Sequence, residues 1–231
     1  MLRSLTTFLL VSITTLSFSQ GLYKFPTLAA KAAKLEGFLP RGWHVLDQAA
    51  GDLNKDNLPD IAAVIEGDAE VKNLKETDNT AKPRILVLAF QQTDGSYVLS
   101  AQSNGFIMLS NEGGVFGDPW SGIKVERGSV LISFYGGSSD RWGFDYRFRY
   151  QNNDWFLIGA TYLTHSTLNG DGESYDFNLL TGAMEHKEGK SIDDGAKPDK
   201  ITKLNIGKKP LRSLKQFASA GQWNIYKDVY L

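Results

Sequence analysis

The segment Asp52-Leu53-Asn54-Lys55-Asp56-Asn57-Leu58-Pro59-Asp60 carries the sharpest chemistry in the chain. Side-chain oxygens fall at positions 1, 3, 5 and 9 of this stretch, on Asp52, Asn54, Asp56 and Asp60. A tight loop turns alternate residues toward one centre, and the Leu58 carbonyl at position 7 adds another oxygen. Calcium takes about six to eight oxygen ligands at about 2.3–2.6 Å, so the donor set suits it. The pattern is not an EF-hand. Position 12 is Ala63, where that loop needs a bidentate Glu, and a β-branched segment follows in place of a helix. Asn57 at position 6 accepts a left-handed backbone more readily than most residues. The same residues also suit an Asx-rich turn whose side chains bond the loop's own amides ahead of a strand.

Two glycine-rich segments form the second candidate. Gly113-Gly114-Val115-Phe116-Gly117-Asp118-Pro119-Trp120 and Tyr135-Gly136-Gly137-Ser138-Ser139-Asp140-Arg141-Trp142 each join strands, with aromatic and charged side chains at their rims. A surface holding Trp120, Tyr135 and Trp142 beside Asp118, Asp140 and Arg141 would stack on a sugar ring and bond its hydroxyls. The same aromatics would equally cover the end of a sandwich or barrel, with Arg141 paired to a carboxylate. Catalytic constellations are weak. His44, His165 and His186 show no H-E-x-x-H or H-x-H spacing. Ser138 and Ser139 sit outside any G-x-S-x-G elbow, and no Walker or Rossmann glycine pattern follows a strand. Asp118 and Asp140 would serve glycoside hydrolysis only at a separation of about 5–9.5 Å. A glycosidase-like hydrolase is therefore the alternative to a binding module. Asn169-Gly170-Asp171-Gly172-Glu173 also alternates oxygens and reads as a loose turn rather than a second ion site.

The stretch from Gly51 through Asp60 and on into Ile61-Ala62-Ala63-Val64 resembles the calcium loop and following strand of FG-GAP or VCBS-type repeats. Arg84-Ile85-Leu86-Val87-Leu88 and the turn Asp94-Gly95-Ser96-Tyr97 fit the second strand and hairpin of such a repeat. The likeness covers Asp47–Ser103 as a single copy. It implies calcium held by Asp52, Asn54, Asp56 and Asp60, in a propeller-type fold used for adhesion or ligand display. The chain as a whole resembles secreted bacterial proteins that pair such a loop with Gly-Gly-Val-Phe-Gly-Asp-Pro and Tyr-Gly-Gly-Ser segments. That second likeness implies no activity.

The elements that must position these residues are mostly strands. Arg3, the apolar stretch Leu5–Leu16 and the small residues Ser17 and Ser19 before Gln20 have the layout of a secretory signal peptide over residues 1–19. The remainder, 20–231, reads as one mainly β domain, with a calcium-loop half over about 40–105 and a C-terminal antiparallel half over about 106–231. Thr27–Glu36 is rich in helix formers, with Pro26 and Thr27 as start residues and Gly37 as a stop, and predicts one N-terminal helix. Strands are expected at Ile61–Glu66, Arg84–Gln91, Tyr97–Ser103, Gly122–Glu126, Ser129–Tyr135, Phe144–Gln151 and Asp154–Leu163. Asp94-Gly95, Arg127-Gly128 and Asn152-Asn153 are the hairpin turns between them. Asn169–Asp199 is polar and Gly-rich, with a short strand around Ser174–Leu179 and a solvated hairpin or loop at Glu185–Lys190. Leu211–Leu231 closes the chain as an amphipathic or irregular piece.

Composition narrows the function classes. Lys and Arg number 25 against 26 Asp and Glu, so no charge excess favours nucleic acid or an anionic membrane. The absence of cysteine removes disulfides, thiolate zinc sites and cysteine nucleophiles. After residue 19 nothing approaches 18 consecutive apolar residues, so no membrane span is expected in the mature chain. The expectation is a secreted or periplasmic protein of antiparallel sheets, as a sandwich or a partial propeller-like or barrel arrangement. It binds calcium and recognises a glycan or another cell-surface ligand.

Overall fold

Residues 60–67 and 84–91 are nearly continuous runs of aliphatic side chains, and in the computed structural model both are strands buried on two faces. The structure describes residues 22–72, 74, 80–190 and 195–231; the expected signal peptide lies outside them. In the first sheet the order is β1 (Lys31–Ala32), β5 (Tyr97–Ser103), β4 (Arg84–Gln91), β3 (Asp60–Gly67) and β2 (Trp43–Gly51). One face of β3 and β4, carrying Ala62, Val64, Leu86 and Leu88, joins the main core. The opposite face, carrying Ala63, Ile65, Ile85 and Val87, is covered by Leu28, Ala32, Leu35 and Phe38 from the N-terminal segment. Burial on both faces explains the unbroken apolar runs, because neither side of the pleat needs polar residues.

The second sheet has seven strands, in the order β12 (Lys200–Asn205), β11 (Ala183–Lys190), β10 (Asp171–Asn178), β9 (Asp154–Ser166), β8 (Asp140–Gln151), β7 (Ser129–Gly137) and β6 (Trp120–Glu126). Every strand-to-strand ladder in both sheets is antiparallel, and no barrel closes. The main core unites the inner faces of both sheets: Ile132, Phe134, Tyr146 and Leu157 lie in the same cluster as Val64 and Leu86. Along one edge β2 meets β6. A bulge at Val45/Asp47 turns the Asp47 carboxylate to accept from the Ile123 amide at 3.2 Å and the Trp120 indole at 3.3 Å. Toward β10 and β11 the core is completed by Phe217, Ile225, Val229 and Leu231, the last three from the hairpin β13 (Asn224–Tyr226) and β14 (Val229–Tyr230) and the residue after it.

The helix expected over Thr27–Glu36 does not form. Lys31 and Ala32 pair instead with Val98 and Tyr97 of β5, and only Leu35–Phe38 make a 3-10 turn. A short Ala-rich stretch has too few turns to offset helix nucleation, whereas the free edge of β5 and the uncovered face of β3 and β4 both reward an extended chain. Glu185–Lys190, expected as a solvated hairpin or loop, lies within β11, and β2 and β12 were not anticipated. In β11 the charges alternate with a buried Met184: Glu185 ion-pairs with Lys187 at 3.1 Å and with Lys203 of β12 at 3.4 Å. The hairpin turns are as expected, with positive φ at Gly95, Arg127, Gly128, Asn152 and Asn153.

Candidate functional site

The Asp52–Asp60 loop is held by its own side chains. Asp52 accepts from the amides of Lys55 (2.6 Å), Asp56 (3.2 Å) and Asn57 (3.0 Å). Asn54 accepts from the Asp56 amide at 3.0 Å and donates its side-chain N–H to Asp56 Oδ2 at 2.9 Å, while Asp56 Oδ1 accepts from the Leu58 amide at 2.8 Å. Lys55 and Asn57 take φ of 71° and 67°, the left-handed turns such curling requires. Asp60 is fully buried and accepts from the amides of Leu53 (2.8 Å), Asn54 (3.2 Å) and, across the sheet, Gln91 (2.9 Å). Burial raises its pKa, against the opposing effect of these amides and with help from the nearby Asp56 charge. The donor types match calcium, but the arrangement does not form a cage. Each carboxylate is already aimed at loop N–H groups, and among the described residues no three His, Asp or Glu side chains are placed to hold a metal ion.

The two glycine-rich segments lie side by side, joined by backbone bonds such as Gly137 N–H to the Gly113 carbonyl at 3.0 Å, but strand alternation keeps their six candidate side chains from sharing one surface. Asp118 is engaged by Arg84 on both oxygens, at 2.8 Å and 2.5 Å, and Arg84 also donates to Glu66 at 2.8 Å and to the Met108 carbonyl at 3.0 Å. Burial pushes the Asp118 pKa up, but the Arg84 bonds outweigh it and hold the carboxyl below its usual range. A carboxylate so held makes a poor general acid at neutral pH. Trp120 packs edge-on to Phe134 at 5.7 Å in the interior. Tyr135 and Arg141 face the outer side of the second sheet, where the Phe116 ring lies 5.5 Å from Tyr135 and 4.4 Å from the Arg141 guanidinium. Trp142, and Asp140 two residues before it, belong to the inner side.

On that inner side, directly opposed residues of successive strands form one aromatic row: Trp120, Phe134, Phe144, Tyr162, Tyr175 and His186. Of its first members, Phe134 lies in the core and Trp120 packs half-buried against it. Beyond them Phe144 stacks on Tyr162 at 5.0 Å (29°), Tyr162 on Tyr175 at 6.3 Å (20°) and Tyr175 on His186 at 4.2 Å (7°). These four rings are half-buried, as is Trp142, which packs on Phe144 at 5.6 Å. Trp142, Phe144 and Tyr162 open onto a cleft of about 400 Å³ walled by Met108, Gly221, Asp228 and Tyr230. The adjacent row runs Gly136, Trp142, Thr164, Glu173, Glu188 and Lys200. Glu173 accepts from the Tyr175 hydroxyl at 2.5 Å and pairs with His186 at 3.1 Å; burial and this bond both raise the Tyr175 pKa.

No protein-family model, curated protein or solved structure matches this chain. The site is therefore read from its own geometry. A larger groove of about 580 Å³ lies on the outer face of the second sheet, lined by Tyr135, Leu163, Ser174 and Lys187 among others. Its polar groups largely satisfy one another: the Ser133 hydroxyl bonds Asp145 and the Thr161 hydroxyl bonds Asp176. The inner face is the better ligand surface, because its rings offer apolar area and its carboxylates retain acceptor capacity. Trp142 and Asp140 were legible as candidates. Phe144, Tyr162 and Tyr175 do not stand out in the sequence, although strand alternation places Phe144 beside Trp142 on one face, and Glu173, expected in a loose turn, lies in β10.

Proposed function

We propose that this chain is an exported, non-catalytic binding module that presents the inner-face aromatic row to a saccharide. The stacked series Phe144, Tyr162, Tyr175 and His186, with Trp142 at its flank, carries the reading. Trp142 and the outward edges of the stacked rings offer a pyranose apolar contact, while Thr164 and Glu173 in the next row supply directional bonds to its hydroxyls. Export rests on the N-terminal sequence. Titration with a panel of soluble oligosaccharides, followed through tryptophan fluorescence, tests the module. Trp142→Ala and Tyr162→Ala should each weaken the strongest interaction about tenfold, as the loss of about 1–1.5 kcal/mol of stacking would do, with the far-UV spectrum unchanged. Retention of full affinity in both variants would overturn the assignment.

Calcium at the Asp52–Asp60 loop is a separate proposal. Its support is the donor types and the mutual repulsion of Asp56 and Asp60; the hydrogen bonds that already occupy every carboxylate weigh against it. The FG-GAP or VCBS-type reading rests on the same loop and the antiparallel run β3, β4 and β5 that follows.

A further inference from the structure

We infer that the free edge of β12 takes up an extended acidic peptide segment as an added strand. This edge lies outside the aromatic shelf of Trp142, Phe144, Tyr162 and Tyr175. β12 is the last strand of the second sheet and pairs only with β11. The Ile206 amide donates to the Gly182 carbonyl at 2.9 Å, which continues that ladder. Antiparallel pairing alternates along a strand, so the backbone groups of Ile201, Lys203 and Asn205 point away from β11. No hydrogen bond among the described residues engages these amides and carbonyls. The other end of the sheet is closed: there β2 meets β6, and Asp47 accepts from the Ile123 amide.

The open edge is also basic and partly apolar. Residues 195–231 carry eight Lys and Arg against two Asp, although the whole chain balances 25 against 26. Lys197, Lys208, Lys209 and Lys227 are exposed and have no ion pair among the described residues. Lys203, within the edge itself, is 79% exposed and reaches Glu185 at 3.4 Å. Ile201 and Leu204 on either side are 53% and 40% exposed. Lysines on an edge repel a second copy, which would bring like charges together, and attract a strand that carries carboxylates. A sulfated polyanion would answer the charge but leave the outward amides and the two apolar side chains unused. An antiparallel strand of alternating Glu and Val uses all three features. Its Glu residues lie beside Lys203 with their amides directed at the edge, and its Val residues lie beside Leu204.

The test titrates the full chain with a fluorescein-labelled, end-blocked octapeptide of alternating Glu and Val, followed by anisotropy. The comparison probes are the same peptide N-methylated at Glu, the same peptide N-methylated at Val, a Lys–Val octapeptide and dextran sulfate. Methylation at Glu removes the bonds to the edge without changing the charge, so affinity should fall about tenfold or more. Methylation at Val, whose amides point away, should leave affinity nearly unchanged, and the Lys–Val peptide should not bind. Lys203→Glu combined with Lys208→Glu should weaken the Glu–Val peptide about tenfold, with the far-UV spectrum unchanged, and high salt should weaken it in wild type. Equal affinity for the parent and Glu-methylated peptides overturns the added strand. Binding of dextran sulfate without the peptide, or of no probe at all, overturns it as well, and neither result bears on the saccharide module.

Discussion

Asp60 and Asp52 look alike in the sequence and do different work. Asp60 supplies buried acceptors to three amides, two in its own loop and one in β4. Each buried amide left unpaired costs about 1–3 kcal/mol, so Asp60→Ala should destabilise the fold by about 3 kcal/mol or more in urea, with or without calcium. Asp52 caps an exposed turn, and its replacement by Ala should cost about 1 kcal/mol in chelator. Calcium decides between the two readings of the loop. An ion bound only by the native state at about 100 times its Kd adds about 2.7 kcal/mol. If the loop holds calcium, millimolar calcium raises the melting temperature of wild type and not of Asp52→Ala. Identical melts of wild type in calcium and in chelator would leave an Asx turn.

At the scale of the element, the position of Trp142 depends on a missing side chain. A Cβ built on Gly136 would lie 2.5 Å from the Trp142 ring and 2.9 Å from the Gly113 carbonyl. Neither can yield freely, since the ring is part of the shelf and the carbonyl accepts from Gly137 at 3.0 Å. Gly136→Ala should therefore cost about 1–3 kcal/mol by overpacking and displace Trp142. The near-UV dichroism of the protein should change, and saccharide affinity should fall without any contact residue having been replaced. Unaltered near-UV dichroism with unaltered affinity would show that the shelf does not depend on this packing.

At the scale of the whole molecule, the two sheets are tied by a buried ion network. Arg84 of β4 is 1% exposed and joins Glu66 of β3 to Asp118, which leads into β6 of the other sheet. Arg84→Ala would leave Glu66, itself 4% exposed, paired only with Lys82 at 3.3 Å and His44 at 3.7 Å, and should destabilise by about 3 kcal/mol. The same network predicts a pH dependence. The Asp118 pKa is lowered in the folded state, so its contribution is complete above the unfolded value of about 3.9 and is lost as pH falls through the folded value. Asp60 has the opposite sign: its raised pKa favours the folded state as pH drops toward that value. Acid unfolding of Asp118→Asn should therefore be less steep below pH about 4 than that of wild type.

Local patterns determined much of this protein without tertiary help. Gly and Asn at 94–95, 127–128 and 152–153 place the hairpin turns, and the apolar runs at 60–67 and 84–91 place the doubly buried strands. These signals are legible because positive φ and uninterrupted burial restrict residue type at a single position. The donor types of the Asp52 loop are legible for the same reason, but where each oxygen points is not. Thr27–Glu36 misleads, because its helix preference is worth less than the sheet edge and face it covers. The aromatic row lay further out of reach. The Asn152-Asn153 turn sets Gln151 opposite Asp154, and without interruption Phe144 would oppose Thr161. A bulge at Arg147/Phe148 shifts the pairing by one residue and brings Phe144 onto Tyr162. Because side chains alternate across a strand, that single step decides whether the rings share a face. It is set by how the two sheets close over their common core, which no local stretch of the chain encodes.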